Sequence, residues 1–132
     1  MAPPPGTSTD GFAELIGVEV LDAQDGEARG RVAVDDRVRQ PYGIVHGGVY
    51  ASLAETITSR ATWLAVRDGG MVAMGQSNQT TFLRPIADGH VNARAWARHR
   101  GRTTWVWDVE LSDDHGQTCA LVRMTVAVRP GE

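Results

Sequence analysis

The sequence predicts an α+β fold in which one long helix is wrapped by a curved antiparallel sheet. The 132 residues suit a single domain that buries one core. One stretch, from His46 to about Val66, has apolar residues at helical spacing, and the chain after Gly70 alternates as strands do. A helix and a run of strands bury their apolar faces best against each other.

The elements before the long helix are short. A helix is expected from Gly11 to Ile16, with Asp10 as its N-cap and Gly17 at its end. Strands follow near residues 18–22 and 27–34, the second with small or apolar residues at every other position. Residues 1–9, rich in Pro, Gly, Ser and Thr, are expected to form a disordered tail before a single domain at 10–132.

The long helix and the strands after it form the expected core. The helical apolar positions are Val49, Tyr50, Leu53, Ala54, Ile57, Ala61, Leu64 and Ala65. The Asp68-Gly69-Gly70 sequence ends the pattern. Four strands follow near 72–83, 91–98, 103–112 and 118–128, and residues 113–116 form a hairpin turn between the last two.

Composition excludes several classes of function. All 13 basic residues are arginine, which excludes Schiff-base lysine chemistry and the lysine-dependent P-loop. The single cysteine excludes an intrachain disulfide, and the four scattered histidines lack metal-ligand spacing, so neither metal nor cofactor is expected. A formal charge of −3 argues against nucleic acid as a partner. With neither a membrane-length apolar run nor a signal peptide, a cytoplasmic location is expected.

The densest chemical signal lies at the start of the long helix. Residues 40–48 read Gln-Pro-Tyr-Gly-Ile-Val-His-Gly-Gly. Gly47 and Gly48 would leave backbone N–H groups open to a ligand oxygen, as polarisation of a thioester carbonyl requires. The alternative is that both glycines only allow tight packing at the helix entry.

Glu55 and Ser59 lie one helical turn apart on the same face. A carboxylate on a largely apolar helix is costly unless it is partnered or used, so Glu55 is a candidate catalytic base, with a surface position as the alternative. Gly47 and Glu55 are separated by roughly 12 Å of helix. One substrate carbonyl would therefore meet Gly47 and Glu55 of different chains, which predicts an obligate dimer with interfacial sites.

A basic segment lies further along the chain, at residues 90–102. Its cationic residues are His90, Arg94, Arg98, His99, Arg100 and Arg102. The segment has no acidic residue, so it could bind a phosphate-bearing ligand, and Arg84 is a second candidate. The alternative is an ordinary solvated strand face.

Together, the residues at 40–48 with Glu55 and Ser59 resemble the hotdog-fold acyl-CoA thioesterases. The similar branch holds one class of 4-hydroxybenzoyl-CoA thioesterase, the 1,4-dihydroxy-2-naphthoyl-CoA hydrolases and the proofreading thioesterase of enterobactin synthesis. Residues 78–85 and 101–107 also resemble strands of that family. The phenylacetyl-CoA branch usually has Asp where this chain has Glu55, which argues against that substrate.

The resemblance implies a role for each matching residue. Glu55 would be nucleophile or general base, and the Gly47 N–H would polarise the thioester carbonyl. Gln40 would assist at that carbonyl, His46 would help the leaving thiolate, and Ser59 would position water or the carboxylate. The implied contacts to CoA are Gly48, Arg84, Arg100, Arg102 and Thr103.

The family resemblance implies cofactor-free hydrolysis of an aromatic acyl-CoA, such as hydroxybenzoyl- or dihydroxynaphthoyl-CoA, by a homodimer that assembles into a homotetramer. Two alternatives stay open at this point. One is a hotdog hydroxyacyl dehydratase, which pairs a His with an acidic residue. The other is an acyl-CoA-binding module without turnover, although such a module has no need of Glu55.

Overall fold

The computed structural model describes residues 11–131, which form two α-helices and six strands. The helices are α1, Phe12–Leu15, and α2, Gly47–Val66. The strands are β1 Val18–Gln24, β2 Glu27–Ala33, β3 Met71–Phe82, β4 His90–Arg100, β5 Thr104–Ser112 and β6 Thr118–Pro130. The predicted order of elements is confirmed. The predicted tail lies outside the described residues.

The strands form one antiparallel sheet in the order β1-β2-β4-β5-β6-β3. Within the described part of the chain, β1 and β3 are therefore the edges. β3 is 12 residues long and, among residues 11–131, pairs only with β6, so its other side presents backbone groups that no described strand pairs. A bulge between Gly75 and Ser77 shifts the register in the middle of this edge.

The core lies between α2 and the inner face of the sheet. Alternate residues of β5 and β6 face inward and are buried, and Trp107 at the centre of β5 is fully buried. Its indole N–H donates to Thr62 Oγ1 of α2 at 2.9 Å, which satisfies the one polar atom of the ring. Cys119 is buried, and burial raises the pKa of its thiol, as expected for an inert packed cysteine.

Two local expectations need correction. Gly11 occupies the N-cap position of α1 without a side-chain cap, and Asp10 lies outside the described residues. Ala65 is exposed rather than part of the apolar helix face, since α2 ends one residue later and a short 3-10 turn follows. Across residues 11–131, neither helix combines the length and the apolar character that a membrane span requires.

Candidate active site

The segment before α2 is a closed turn that holds Gln40 in place. The Gln40 N–H donates to the Ile44 carbonyl at 2.8 Å, and the Gly43 N–H donates to the Gln40 carbonyl at 2.9 Å. Gly43 takes a left-handed φ of +84°, which glycine adopts without steric cost. The Tyr42 N–H donates to Gln40 Oε1, so the side-chain NH₂ of Gln40 is the group left to donate to a ligand.

At the start of α2, the Gly47 N–H is open while its two successors are bonded to His46. The Gly48 N–H donates to His46 Nδ1 at 2.9 Å, and the Val49 N–H donates to the His46 carbonyl at 3.0 Å. The Gly47 N–H has no acceptor among residues 11–131. Because Nδ1 of His46 accepts a hydrogen bond, the neutral ring carries its proton on Nε2. Gly48 thus caps the helix with His46, while Gly47 offers its N–H to a ligand.

An aromatic pair forms one wall beside this open N–H. The Phe82 ring lies over Gly47, where a Cβ would stand only 2.6 Å from Cζ. Phe82 also packs edge-on against buried Tyr50, with ring centroids 5.8 Å apart. Burial raises the pKa of the Tyr50 phenol. Position 47 therefore allows the close approach of Phe82, and its N–H has no acceptor among the described residues.

These groups surround an open cavity of about 430 Å³. Its walls are largely apolar, and its polar members are Gln40, the Gly47 backbone and Arg84. We call this cavity the carbonyl half-site. Its full lining is Gln40, Ile44, Val45, Gly47, Tyr50, Phe82, Leu83, Arg84 and Pro85.

Glu55 lies in a second cavity of about 470 Å³, the carboxylate half-site. Its side chain packs against the backbone of Gly75, where a Cβ would stand 3.2 Å from Glu55 Cδ. Asn78 and Thr80 of β3 line the same cavity. The remaining lining residues are Phe12, Ala51, Ser52 and Thr56.

Glu55 is exposed in the single chain, which is the surface position that the sequence left open as the alternative. The reason is its position beside β3, an edge strand whose free side pairs with no strand of residues 11–131. Ser59 differs: its Oγ is buried and has no hydrogen-bond partner in the described part of the chain. Burying a hydroxyl without a hydrogen-bond partner lowers the stability of the fold, which is consistent with a hydroxyl that binds a ligand or water.

One chain therefore does not unite the two half-sites. Gly47 and Gln40 line one cavity and Glu55 lines the other, in agreement with the separation expected along α2. The contacts to β3 follow the same division, since Phe82 covers Gly47 and Gly75 supports Glu55.

The candidate CoA-binding arginines are also divided. Arg84 lines the carbonyl half-site, where its Nη1 donates to Gln117 Oε1 at 3.4 Å. The other candidates, Arg100, Arg102 and Thr103, lie at the opposite end of the sheet. Across β6, the first residue of β5, Thr104, is level with Met74 of β3, whereas Leu111 is level with Phe82, near Arg84. Seven residues of β5 place these two ends roughly 23 Å apart.

Most of the basic segment is already paired within the chain. Arg98 Nε lies 3.3 Å from Asp108 Oδ2, and Arg94 stacks on Trp96 at 4.8 Å. Arg100 donates to the Asp25 carbonyl at 2.9 Å and braces the β1–β2 turn. His90 Nδ1 lies 3.0 Å from Asp114 Oδ2. These contacts favour, for much of the segment, the interpretation as an ordinary solvated strand face over that as a phosphate-binding site. Arg102 is exposed and lies at the β4–β5 turn.

Among the residues that the sequence did not mark as site residues are Tyr50, Asn78 and Phe82, which line the half-sites, and Gly75, which supports Glu55. Gly75 had a usable signal, since a glycine inside a strand often marks a bulge or a close approach. Tyr50 followed the helical pattern and was assigned to the core alone. Asn78 and Phe82 alternate on β3 with no local feature that separates them from a surface strand.

The curved sheet around one helix, with an open helix N-terminus and a carboxylate on the same helix, defines a hotdog-fold thioesterase. The chain belongs to the thioesterase superfamily, whose family model matches residues 42–120. It is thus a thioester hydrolase, which is the first of the three activities that the sequence left open.

Individual relatives agree with this assignment. The chain is 37% identical to an esterase of Pseudomonas aeruginosa over 90% of this chain and 82% of that protein. It is 34% identical to the proofreading thioesterase EntH of Klebsiella pneumoniae, over 86% of this chain and 82% of EntH. A solved structure of a glutamine-to-alanine variant of thioesterase PA1618 from Pseudomonas aeruginosa superimposes with a TM-score of 0.88 at 35% identity, covering 92% and 88% of the two chains.

Proposed function

We propose that this protein hydrolyses an aromatic acyl-CoA thioester to the free acid and CoA, as a dimer with two composite sites. The observation that carries the proposal is the unpaired Gly47 N–H, which opens into an apolar cavity beside the free amide of Gln40. Two donors fixed in that position can hold the thioester oxygen as negative charge develops on it. The motif at residues 40–48 and the identity to EntH support the hydroxybenzoyl-CoA and dihydroxynaphthoyl-CoA branch.

The reaction follows from the remaining groups. The Glu55 carboxylate either attacks the thioester carbon itself, forming a mixed anhydride that water then hydrolyses to the free acid, or takes a proton from the water that attacks that carbon. The carbon–sulfur bond breaks, and the CoA thiolate leaves as its negative charge is met by a proton donor. His46 suits that last role because its Nε2 carries a proton while Nδ1 stays bound to Gly48. Ser59, with its unpaired hydroxyl, would hold the water or the carboxylate.

Pairing through β3 would complete each site. On this strand Gly75 supports Glu55 and Phe82 covers Gly47. A two-fold axis midway between them, near Asn78, would set Gly75 opposite Phe82 of a second copy. Antiparallel pairing about this axis keeps both helices on the same face of a continuous sheet. Each Glu55 then lies beside the carbonyl half-site of its partner, and the free edge of β3 is satisfied.

The same pairing bears on CoA binding. It moves the β4–β5 turn of one copy, with Arg102 and Thr103, towards Arg84 of the other. CoA carries several phosphate charges, and these exposed groups could bind them across the interface. Arg100 would add to this cluster only if it released Asp25. The homotetramer and the cytoplasmic location stay predictions from the sequence and its family resemblance.

The test is thiol release from a panel of aryl-CoA and alkyl-CoA thioesters. Wild-type protein should hydrolyse aryl-CoA fastest, and Glu55→Ala should lower kcat by at least about a thousandfold. Glu110→Ala is the matched control, because Glu110 is an exposed carboxylate on β5 outside both half-sites. A folded dimer that cleaves no thioester of the panel, or a fully active Glu55→Ala variant, would overturn the proposal.

A further inference from the structure

We propose that Phe82 is the residue that selects the acyl group, by offering a flat apolar surface to an aromatic ring. The inference rests on the proposed function, since it concerns the acyl group of the thioester whose carbonyl binds at Gly47. It assigns to one side chain the preference for aromatic over straight-chain substrates.

The position of Phe82 is the first argument. Its ring touches Gly47, whose N–H is the open donor for the carbonyl oxygen. Any acyl group bound there has its first carbons within contact distance of this ring. Gln40, the other donor, lines the same cavity.

The exposure of Phe82 is the second argument. In the single chain Phe82 is 58% exposed, at the end of β3 and in the lining of the carbonyl half-site. An exposed phenyl ring at the mouth of an apolar cavity offers surface to a ligand. The neighbouring walls, Ile44, Leu83 and Pro85, are apolar as well.

Rigidity is the third argument. Tyr50 is 3% exposed and holds the Phe82 ring in an edge-on contact with an interplanar angle of 62°. The Gly47 backbone, one helical turn before Tyr50, also lies close to the ring. A ring held by these two contacts with α2 forms a defined surface, on which a second flat ring packs better than a flexible alkyl chain does.

The experiment compares benzoyl-CoA with octanoyl-CoA for wild type, Phe82→Ala and Phe82→Tyr. Phe82→Ala should lower kcat/KM for benzoyl-CoA about tenfold while octanoyl-CoA changes less than about twofold. Phe82→Tyr keeps the ring and should keep the wild-type ratio. Leu21→Ala, an exposed apolar residue on β1 outside the half-sites, is the control and should not change either rate.

A second readout separates this inference from the proposed hydrolysis. Calorimetric binding of both thioesters is measured in the Glu55→Ala background, with and without Phe82→Ala, so that turnover is not needed. Selective weakening of benzoyl-CoA supports the role of Phe82 even if no hydrolysis is seen. Equal loss for both thioesters, an unchanged ratio, or a wild-type preference for octanoyl-CoA would overturn it.

Discussion

Gly47 meets two requirements that substitutions can separate. Its N–H must stay open to the thioester oxygen, and its missing side chain leaves room for Phe82. Alanine keeps the N–H but would place a Cβ 2.6 Å from the ring, so Gly47→Ala should shift the helix start and lower kcat/KM about a hundredfold. The double variant Gly47→Ala/Phe82→Ala removes the clash and should recover most of the loss, measured on octanoyl-CoA. Failure to recover would show that position 47 needs glycine for another reason.

At the scale of elements, β3 and α2 are held in register by Asn78. Its Nδ2 donates to the Ala51 carbonyl at 3.0 Å, and Thr80 Oγ1 donates to Asn78 Oδ1 at 2.7 Å. Ala51 is one helical turn before Glu55, so this contact fixes the part of α2 that carries the carboxylate. Asn78→Ala should lower the free energy of unfolding by about 1 kcal/mol and reduce kcat with little change in KM. Both are measured by urea unfolding and steady-state kinetics.

Gln79 provides the control for that prediction. It is the next residue on β3, it is exposed, and it lines neither half-site. Gln79→Ala should leave unfolding and kcat near their wild-type values. Equal effects of the two substitutions would indicate that the strand edge, rather than the hydrogen bond to Ala51, controls the position of Glu55.

The elements were predictable because their signals are local. Apolar residues recur at every second position along β6 (Val122, Met124, Val126) and at helical spacing along α2 (Leu53, Ile57). The spacing alone therefore distinguishes the strand from the helix. The contact of Phe82 with Gly47 depends instead on how the far end of β3 crosses the helix. No window of sequence contains that crossing, which explains why Phe82 and Asn78 were not named as candidates, whereas His46, Gly47 and Glu55 were named from a local pattern.

At the scale of the whole molecule, the distribution of polar groups suits a pair of chains better than a single one. Glu55 is exposed beside the edge of β3, which no other described strand pairs, while Gly47 and Gln40 line a separate cavity. A lone chain would expose its carboxylate to water and leave twelve residues of strand edge open. The antiparallel pairing of β3 with its copy, as proposed above, would account for both the division of the site and the open edge.

Co-expression of two inactive variants tests this pairing. Gln40→Ala damages the carbonyl half-site, and Glu55→Ala removes the carboxylate, so each homodimer should be inactive. A mixed dimer has one site in which both groups are intact. Random pairing makes half of the dimers mixed, so the preparation should regain about a quarter of wild-type activity. If the two residues served one carbonyl within a chain, every site would keep a defect, and the mixture would stay as inactive as its parents when thiol release is measured.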